Sequence, residues 1–547
     1  MRRRISMLAV TTLVTAGGAV VMAGAPAAAV ECSPNPVVCE NALPGAPRSE
    51  WDVEGIGDEA IQGFSTDISV DVGGSIAFKV DTTATAFSID LYRLGWYDGK
   101  GARKIDSIPA AQTVARDQDP CYTDETTEIY DCGNWTVSAT WTVPPATVSG
   151  VFVATLRLAD GGKSHIPFIV RDDASTSKMF FQTSDTTWQA YNDYGGSNFY
   201  HGAGNGRAYK LSYNRPFATR RDNHGRDHLF SNEYPMIRFM ERNGYDVSYT
   251  TGVDSDRRGQ LIANHDVFVS VGHDEYWSGR QRTHVEAARD SGTHLAFFSG
   301  NEVYWKTRWE PSQDGTNTGH RTLVCYKESW ADAKLDQSSP EWTGTWRDPR
   351  FSPPSNGGRP ENELTGTAYL SNDVDLAIKV PAEFGKFRLW RHTALGSQSP
   401  GQVTTLAPHT IGYESDEDLD NGFRPDGLIR LSETTGPTPE YLRDFSRTVQ
   451  AGTTTHHLTL YRAPSRALVF SAGTIQWAWG LDQVHDGEDP APADTRMQQA
   501  TINLFADMGV RAVNAIPGLT IAALNTDTTA PAATITSPPA WATFANG

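Results

Sequence analysis

Three short segments gather the side chains that could do chemistry in this chain. They are Trp188-Gln-Ala-Tyr191-Asn-Asp-Tyr194-Gly-Gly-Ser-Asn198, Gly272-His273-Asp-Glu275-Tyr276-Trp277 and Ser299-Gly-Asn301-Glu302-Val-Tyr304-Trp305. His273 and Glu275 lie two residues apart, so an extended backbone points them the same way. An imidazole can carry a proton near neutral pH. A carboxylate among aromatic residues is costly to bury unless it is paired or bound to a metal. The plain structural alternatives are a cap or turn histidine for His273, a core or surface tyrosine for Tyr194 and a turn former for Asn301. His224 and His228 have the helical spacing of two metal ligands, but Gly225 intervenes and no zincin glutamate follows His224, so this stretch reads as a solvated basic loop. No G-x-S-x-G elbow, P-loop or glycine-rich dinucleotide loop occurs. A glycosidase carboxylate pair stays open, because the separation of two carboxylates in space is not visible in a sequence.

The elements that must position these groups follow from patterning. Residues 267–271 form a β-branched and aromatic run that stops at Gly272, and Ser278-Gly279 then opens a helical pattern over 280–290. Further strands are expected at 179–182, 246–250, 294–298 and 467–471, with helices at 232–243 and 496–508. This alternation predicts a mostly parallel sheet with helices on both faces, where ligands bind beyond the carboxyl ends of the strands. Upstream, the runs at 76–80, 86–92, 134–137, 150–157 and 164–170 are separated by Gly-Gly, Asp-Gly and Pro-rich turns, which predicts a β-sandwich. Residues 306–465 read as turns and short β-like runs.

A chain of 547 residues requires more than one domain. The expected organisation is a signal peptide at 1–29, a β-sandwich at 30–172, an α/β domain at 173–515, and a linker with the start of a truncated immunoglobulin-like repeat at 516–547. The leader rests on Arg2-Arg3-Arg4, the apolar stretch 8–22 and the Ala27-Ala28-Ala29 cleavage site. It predicts a secreted or extracellular protein with no membrane span, exported by the general or the twin-arginine route. The net charge of −18 argues against nucleic acid and anionic membranes as partners. Of five cysteines, Cys32 with Cys39 and Cys121 with Cys132 are expected as loop-closing disulfides, leaving Cys325 as an inert thiol rather than a nucleophile.

Four motifs taken in order resemble the large (β) subunit of N,N-dimethylformamidase. They are Gly272-His273-Asp-Glu275-Tyr276-Trp277, Gly300-Asn301 with Tyr304-Trp305, Gly412-Tyr-Glu414 followed by Asp418-Leu-Asp-Asn-Gly-Phe-Arg424, and Gly473-Thr-Ile-Gln-Trp477 with Trp479-Gly-Leu-Asp482. Leu91-Tyr-Arg-Leu-Gly-Trp-Tyr97 adds to the likeness, which runs over about residues 60–515. The resemblance implies a glutamine-amidotransferase-like α/β fold without its cysteine nucleophile. It also implies hydrolysis of a formamide to an amine and formate at a mononuclear iron (Fe3+) held by two tyrosinates and one glutamate. Carried over by motif, Glu275 and Tyr194 are metal ligands, and Tyr191 is the candidate second tyrosine ahead of Tyr276 and Tyr304. His273, Asn301 and Glu414 would be catalytic. Family members work with a small partner subunit, whose sequence is not found here; a homo-oligomer is compatible with the chain. The expected function is a secreted, metal-dependent hydrolase of a non-peptide C–N bond, acting on a small amide or a cell-wall or polysaccharide-derived one. The alternative is a non-catalytic, carbohydrate-binding or surface scaffold, which predicts no metal and predicts Glu275 and Tyr194 apart or paired with Arg or Lys.

Overall fold

The computed structural model describes residues 32–350, 357–488 and 490–526. The expected leader at 1–29, and all of the expected immunoglobulin-like start beyond residue 526, lie outside the described residues. The described chain is rich in β-structure, with several sheets and few helices.

Between residues 61 and 171 a three-stranded and a five-stranded sheet enclose one apolar core. The first contains Ile61–Ser65, Ser75–Thr82 and Ala139–Thr142. The second contains Ser69–Asp71, Lys163–Arg171, Gly150–Leu158, Phe87–Leu94 and Ala102–Ile108. Period-two alternation explains the arrangement: Ile76, Phe78 and Val80 point inward from one strand and meet Phe152, Phe168 and Leu91 of the facing sheet. The strand expected at 134–137 is absent. Asp131 accepts the Gly133 amide at 2.8 Å, and the Cys121–Cys132 disulfide anchors this bend, so pairing starts later, at Ala139–Thr142. Cys32 and Cys39 are also disulfide-bonded.

From residue 179 a seven-stranded sheet takes over. Its order is Val247–Thr251, Met179–Thr183, Val267–Gly272, His294–Ser299, Leu468–Ser471, Thr459–Arg462 and Ile429–Arg430. The first five strands run parallel, and the last two join the sheet by antiparallel pairing. Val267–Gly272 lies inside the parallel part and is buried throughout, which is why its sequence is a continuous apolar run. The helix Gly279–Ser291 starts with a reciprocal capping box between Ser278 and Gln281 and stops at Gly292, whose φ of 114° suits glycine. The helices Glu233–Arg242 and Thr495–Asp507 fall within a residue of the expected boundaries.

The irregular reading of 306–465 was too coarse. Strands Ile411–Glu417, Ala368–Leu376, Thr434–Leu442 and Val449–His456 form a separate, antiparallel four-stranded sheet. Register shifts within Ala368–Leu376 and Thr434–Leu442 break the alternation that would have revealed it. The sheet matters because it delivers Tyr369, Tyr413 and Glu414.

Candidate functional site

The site forms where loops leaving the parallel strands meet that antiparallel sheet. Glu275 follows Val267–Gly272 by three residues. The bend at Gly272 has a φ of 82°, and a Cβ there would lie 2.5 Å from the Asn232 Cβ, so the position needs glycine. The Glu275 amide donates to Thr187 Oγ1 at 3.1 Å, and its carbonyl accepts from the amides of Tyr304 and Trp305 at 3.0 and 2.9 Å. The 299–305 segment and Thr187, one residue before the 188–198 segment, thereby clamp the backbone of Glu275.

The carboxylate of Glu275 faces tyrosines. Tyr200 Oη lies 3.1 and 3.0 Å from its two oxygens. Tyr191 Oη donates to Tyr200 Oη at 3.1 Å, and the two rings stack with centroids 4.5 Å apart. Tyr276 Oη donates to Tyr200 Oη at 2.6 Å, and Lys327 Nζ donates to Tyr276 Oη at 2.8 Å. The same ammonium lies 3.6 Å from the centre of the Tyr200 ring, and burial pushes its pKa down to about 8.

Tyr191 closes the helix Asp185–Ala190, and the chain then turns through Gly195 and Gly196, both at positive φ. Asn198 returns Tyr200 to Tyr191. Its Oδ1 accepts the amides of Tyr200 and His201 at 2.7 and 2.8 Å, and its Nδ2 donates to the Tyr191 carbonyl at 3.3 Å.

On the other side of Glu275 lies an acid–imidazole–amide cluster. His273 Nε2 is 2.8 Å from Glu414 Oε2 and 3.3 Å from Glu275 Oε2. Its Nδ1 is 3.2 Å from both Asp227 Oδ1 and Tyr413 Oη. Asn301, in left-handed backbone at φ 49°, donates from Nδ2 to Glu414 Oε2 at 2.8 Å, and Tyr369 Oη donates to Glu414 Oε1 at 3.2 Å. Burial opposes charge on His273, but Glu414, Asp227 and Glu275 outweigh it and hold the ring well above its ordinary pKa. His273 is therefore held toward its protonated form by the carboxylates around it.

The structure brings Tyr191, Glu275, His273, Asn301 and Glu414 together and leaves Tyr194 out. Tyr194 packs edge-on against Tyr130 at 6.0 Å, and Arg215 holds its carbonyl at 2.8 Å. It sits three residues past Tyr191, after the helix has ended, so its side chain leaves toward Tyr130. Tyr200 stands in its place. Of the two fallbacks, Tyr276 reaches Tyr200 rather than Glu275, and Tyr304 donates to the Phe445 carbonyl at 3.3 Å. Sequence reasoning missed Tyr200, Lys327, Tyr369, Tyr413 and Asp227. The one local signal was Asn198, a turn former placed to steer the residue two beyond it.

Among the described residues, no group of three or more His, Cys, Asp or Glu side chains is arranged to hold a metal. A metal here would have to use the phenols. Tyr191, Tyr200 and Glu275 offer only oxygen donors, which suit a hard, highly charged cation. Burial first, and then the charge of Glu275, hold both phenols well above their ordinary pKa, so ionising them calls for added positive charge at this spot. The donor set fits such a group. Cys325 does not compete as a nucleophile, since burial pushes its thiol up to about 12.

The family described as "N,N-dimethylformamidase beta subunit-like, C-terminal" matches residues 88–494, more than half of the chain. No curated protein matches. Among solved structures, a Paenibacillus sp. cycloisomaltooligosaccharide glucanotransferase complexed with cycloisomaltoheptaose shares 9% identity over 60% of this chain, with a TM-score of 0.15. This chain spans 62% of that protein, and the likeness is too slight to bear on fold or activity.

Proposed function

The chain belongs to the N,N-dimethylformamidase β-subunit-like family, and from that premise we propose that it is a metal-dependent amidohydrolase acting on a non-peptide C–N bond. The observation that carries this reading is the convergence of Tyr191, Tyr200 and Glu275 beside the His273–Asn301–Glu414 cluster. Tyr191, Tyr200 and Glu275 would hold the metal, with Fe3+ as the proposed ion. When bound, it supplies Lewis acidity toward an amide carbonyl and lowers the pKa of water.

The remaining chemistry belongs to side chains. Glu414, held by Asn301, Tyr369 and His273, accepts a proton from the attacking water as the new C–O bond forms. The Asn301 amide would donate to the oxyanion of the tetrahedral intermediate. His273 donates a proton to the nitrogen as the C–N bond breaks, and regains one from Glu414. The products are a carboxylic acid and an amine, and both side chains return to their starting states. We further propose that the protein acts outside the cell, which the disulfides support.

A second reading rests on Lys327 and His273. Both are cations beside the tyrosine–glutamate cluster, so the cluster has internal charge partners of its own, as a binding scaffold would. Formate release from N,N-dimethylformamide by the iron-reconstituted chain, reduced at least about a hundredfold in Glu414→Gln, is the outcome expected for the hydrolase. Absence of hydrolysis across a panel of formamides and acetamides by iron-loaded protein would favour the scaffold.

A further inference from the structure

The loop that carries Asn301 is bent twice out of ordinary backbone. Asn301 stands at φ 49° and Val303 at φ 57°. Asparagine tolerates this left-handed region better than most residues, whereas a β-branched side chain there is an outlier. Such conformations persist only where neighbours over-determine them, and they gather at functional sites. Backbone bonds tie the loop down on either side of Asn301: the Gly300 amide donates to the Gly272 carbonyl at 3.2 Å, and the Val303 amide to the Asp274 carbonyl at 3.1 Å. The Asn301 amide is held instead by a side chain, donating to Asp416 Oδ1 at 2.9 Å.

Asp416 lies two residues beyond Glu414 on the strand Ile411–Glu417, so both side chains leave the same face. Glu414 takes the side chain of Asn301, and Asp416 takes its backbone. Asn301 Oδ1 has no hydrogen-bond partner among the described residues, so the amide group is oriented through Nδ2. Asp416 is itself firmly set. It is 1% exposed, its Oδ2 accepts from the Thr367 hydroxyl at 2.9 Å, and its own amide donates to the Gly473 carbonyl at 2.9 Å. Thr367 Oγ1 in turn lies 2.7 Å from Ser471 Oγ, at the end of the parallel strand Leu468–Ser471. Burial pushes the Asp416 carboxyl up to about 7, so an uncharged acceptor suits the same place.

We propose that Asp416 is a positioning residue, which fixes the left-handed backbone of Asn301 and so aims the Asn301 side chain at Glu414 for the reaction. The part that concerns the reaction rests on the amidohydrolase reading. Without an acceptor at position 416 the Asn301 N–H is left buried and unpaired, and the loop moves to satisfy it.

The test compares three variants of the full chain. Asp416→Asn keeps the acceptor, Asp416→Leu keeps much of the volume but loses the acceptor, and Thr367→Val removes one hold on the carboxyl. The readouts are crystal structures, iron content, and formate release from N,N-dimethylformamide by iron-reconstituted protein. The expected kcat falls about ten- to hundredfold in Asp416→Leu and severalfold in Thr367→Val, and stays near wild type in Asp416→Asn. KM and iron content are expected within about twofold of wild type in all three. An unchanged kcat in Asp416→Leu, or a loss that comes with lost iron or is not rescued in Asp416→Asn, overturns the proposal. If Asp416→Leu does not fold, Thr367→Val decides, and an unchanged kcat there overturns it. In the Asp416→Leu structure Asn301 Nδ2 is expected beyond hydrogen-bond reach of Glu414, and a surviving 2.8 Å bond overturns the proposal whatever the activity. A broken bond there, with no formate released by wild type, upholds the clamp on Asn301 and overturns the amidohydrolase reading instead.

Discussion

Glu233 holds the front of the helix that ends in Tyr191, and it does so as a neutral acid. Its Oε1 accepts the Ser184 amide at 3.1 Å and the Trp188 indole at 2.9 Å, and the residue is only 2% exposed. Burial, which dominates these hydrogen bonds, pushes its pKa from 4.5 up to about 8. Between those values the folded chain keeps a proton that the unfolded chain has lost. The native state then binds more protons, so stability falls as pH rises through this window. At about 1.36 kcal/mol per pH unit, the interval from 4.5 to about 8 amounts to about 5 kcal/mol. Glu233→Gln preserves the shape and both accepted hydrogen bonds but cannot ionise. The check is urea unfolding of wild type and variant at several pH values between about pH 5 and pH 8, with the m-value confirming a common unfolding transition. The expected outcome is a variant that gains on wild type steadily with pH, by about 3 to 4 kcal/mol between about pH 5 and pH 8. Stability curves that stay parallel within about 1 kcal/mol would refute the reasoning, and with it the claim that this carboxyl is neutral in the fold.

Three further outcomes follow from the packing. Arg93 and Glu241 form a fully buried bidentate pair at 2.8 and 2.7 Å that joins the β-sandwich strand Phe87–Leu94 to the helix Glu233–Arg242; Arg93→Ala should cost about 3 to 5 kcal/mol in denaturant unfolding, because it strands the glutamate. Gly272→Ala should cost more than about 1 kcal/mol and reduce activity with it, since φ is 82° and the added methyl meets Asn232 at 2.5 Å; a neutral result would mean that the bend can relax. Cys325 should resist thiol reagents in the folded chain and react on unfolding, as expected of a buried thiol raised to about 12; rapid native-state labelling would show that the segment opens.

The central parallel strands were legible because β-branched and aromatic runs there end at a breaker. Val267–Gly272 ends at a glycine that the backbone needs, and Gly279–Ser291 begins at a capping box. The sheet carrying Glu414 was not legible as a sheet, because its register shifts break the period-two pattern. Glu275, His273 and Asn301 could be found because strand ends concentrate chemistry. Tyr200 could not: it stands on a loop whose path is set by Asn198 and two positive-φ glycines, and no periodicity records which way such a loop turns. Tyr194 looked the stronger candidate by motif, yet the end of its helix sends it to Tyr130. Charge on His273 was equally invisible, since Asp227 and Glu414 reach it from distant parts of the chain.

The central claim is that Tyr191, Tyr200 and Glu275 together bind a metal. The most direct measurement is metal content with the visible spectrum of iron-reconstituted protein, compared among wild type, Tyr200→Phe and Tyr194→Phe. The account predicts one iron per chain and a tyrosinate charge-transfer band in wild type and in Tyr194→Phe, with both lost or strongly reduced in Tyr200→Phe. A colourless, iron-free wild type, or an iron site that survives Tyr200→Phe and disappears in Tyr194→Phe, would contradict it.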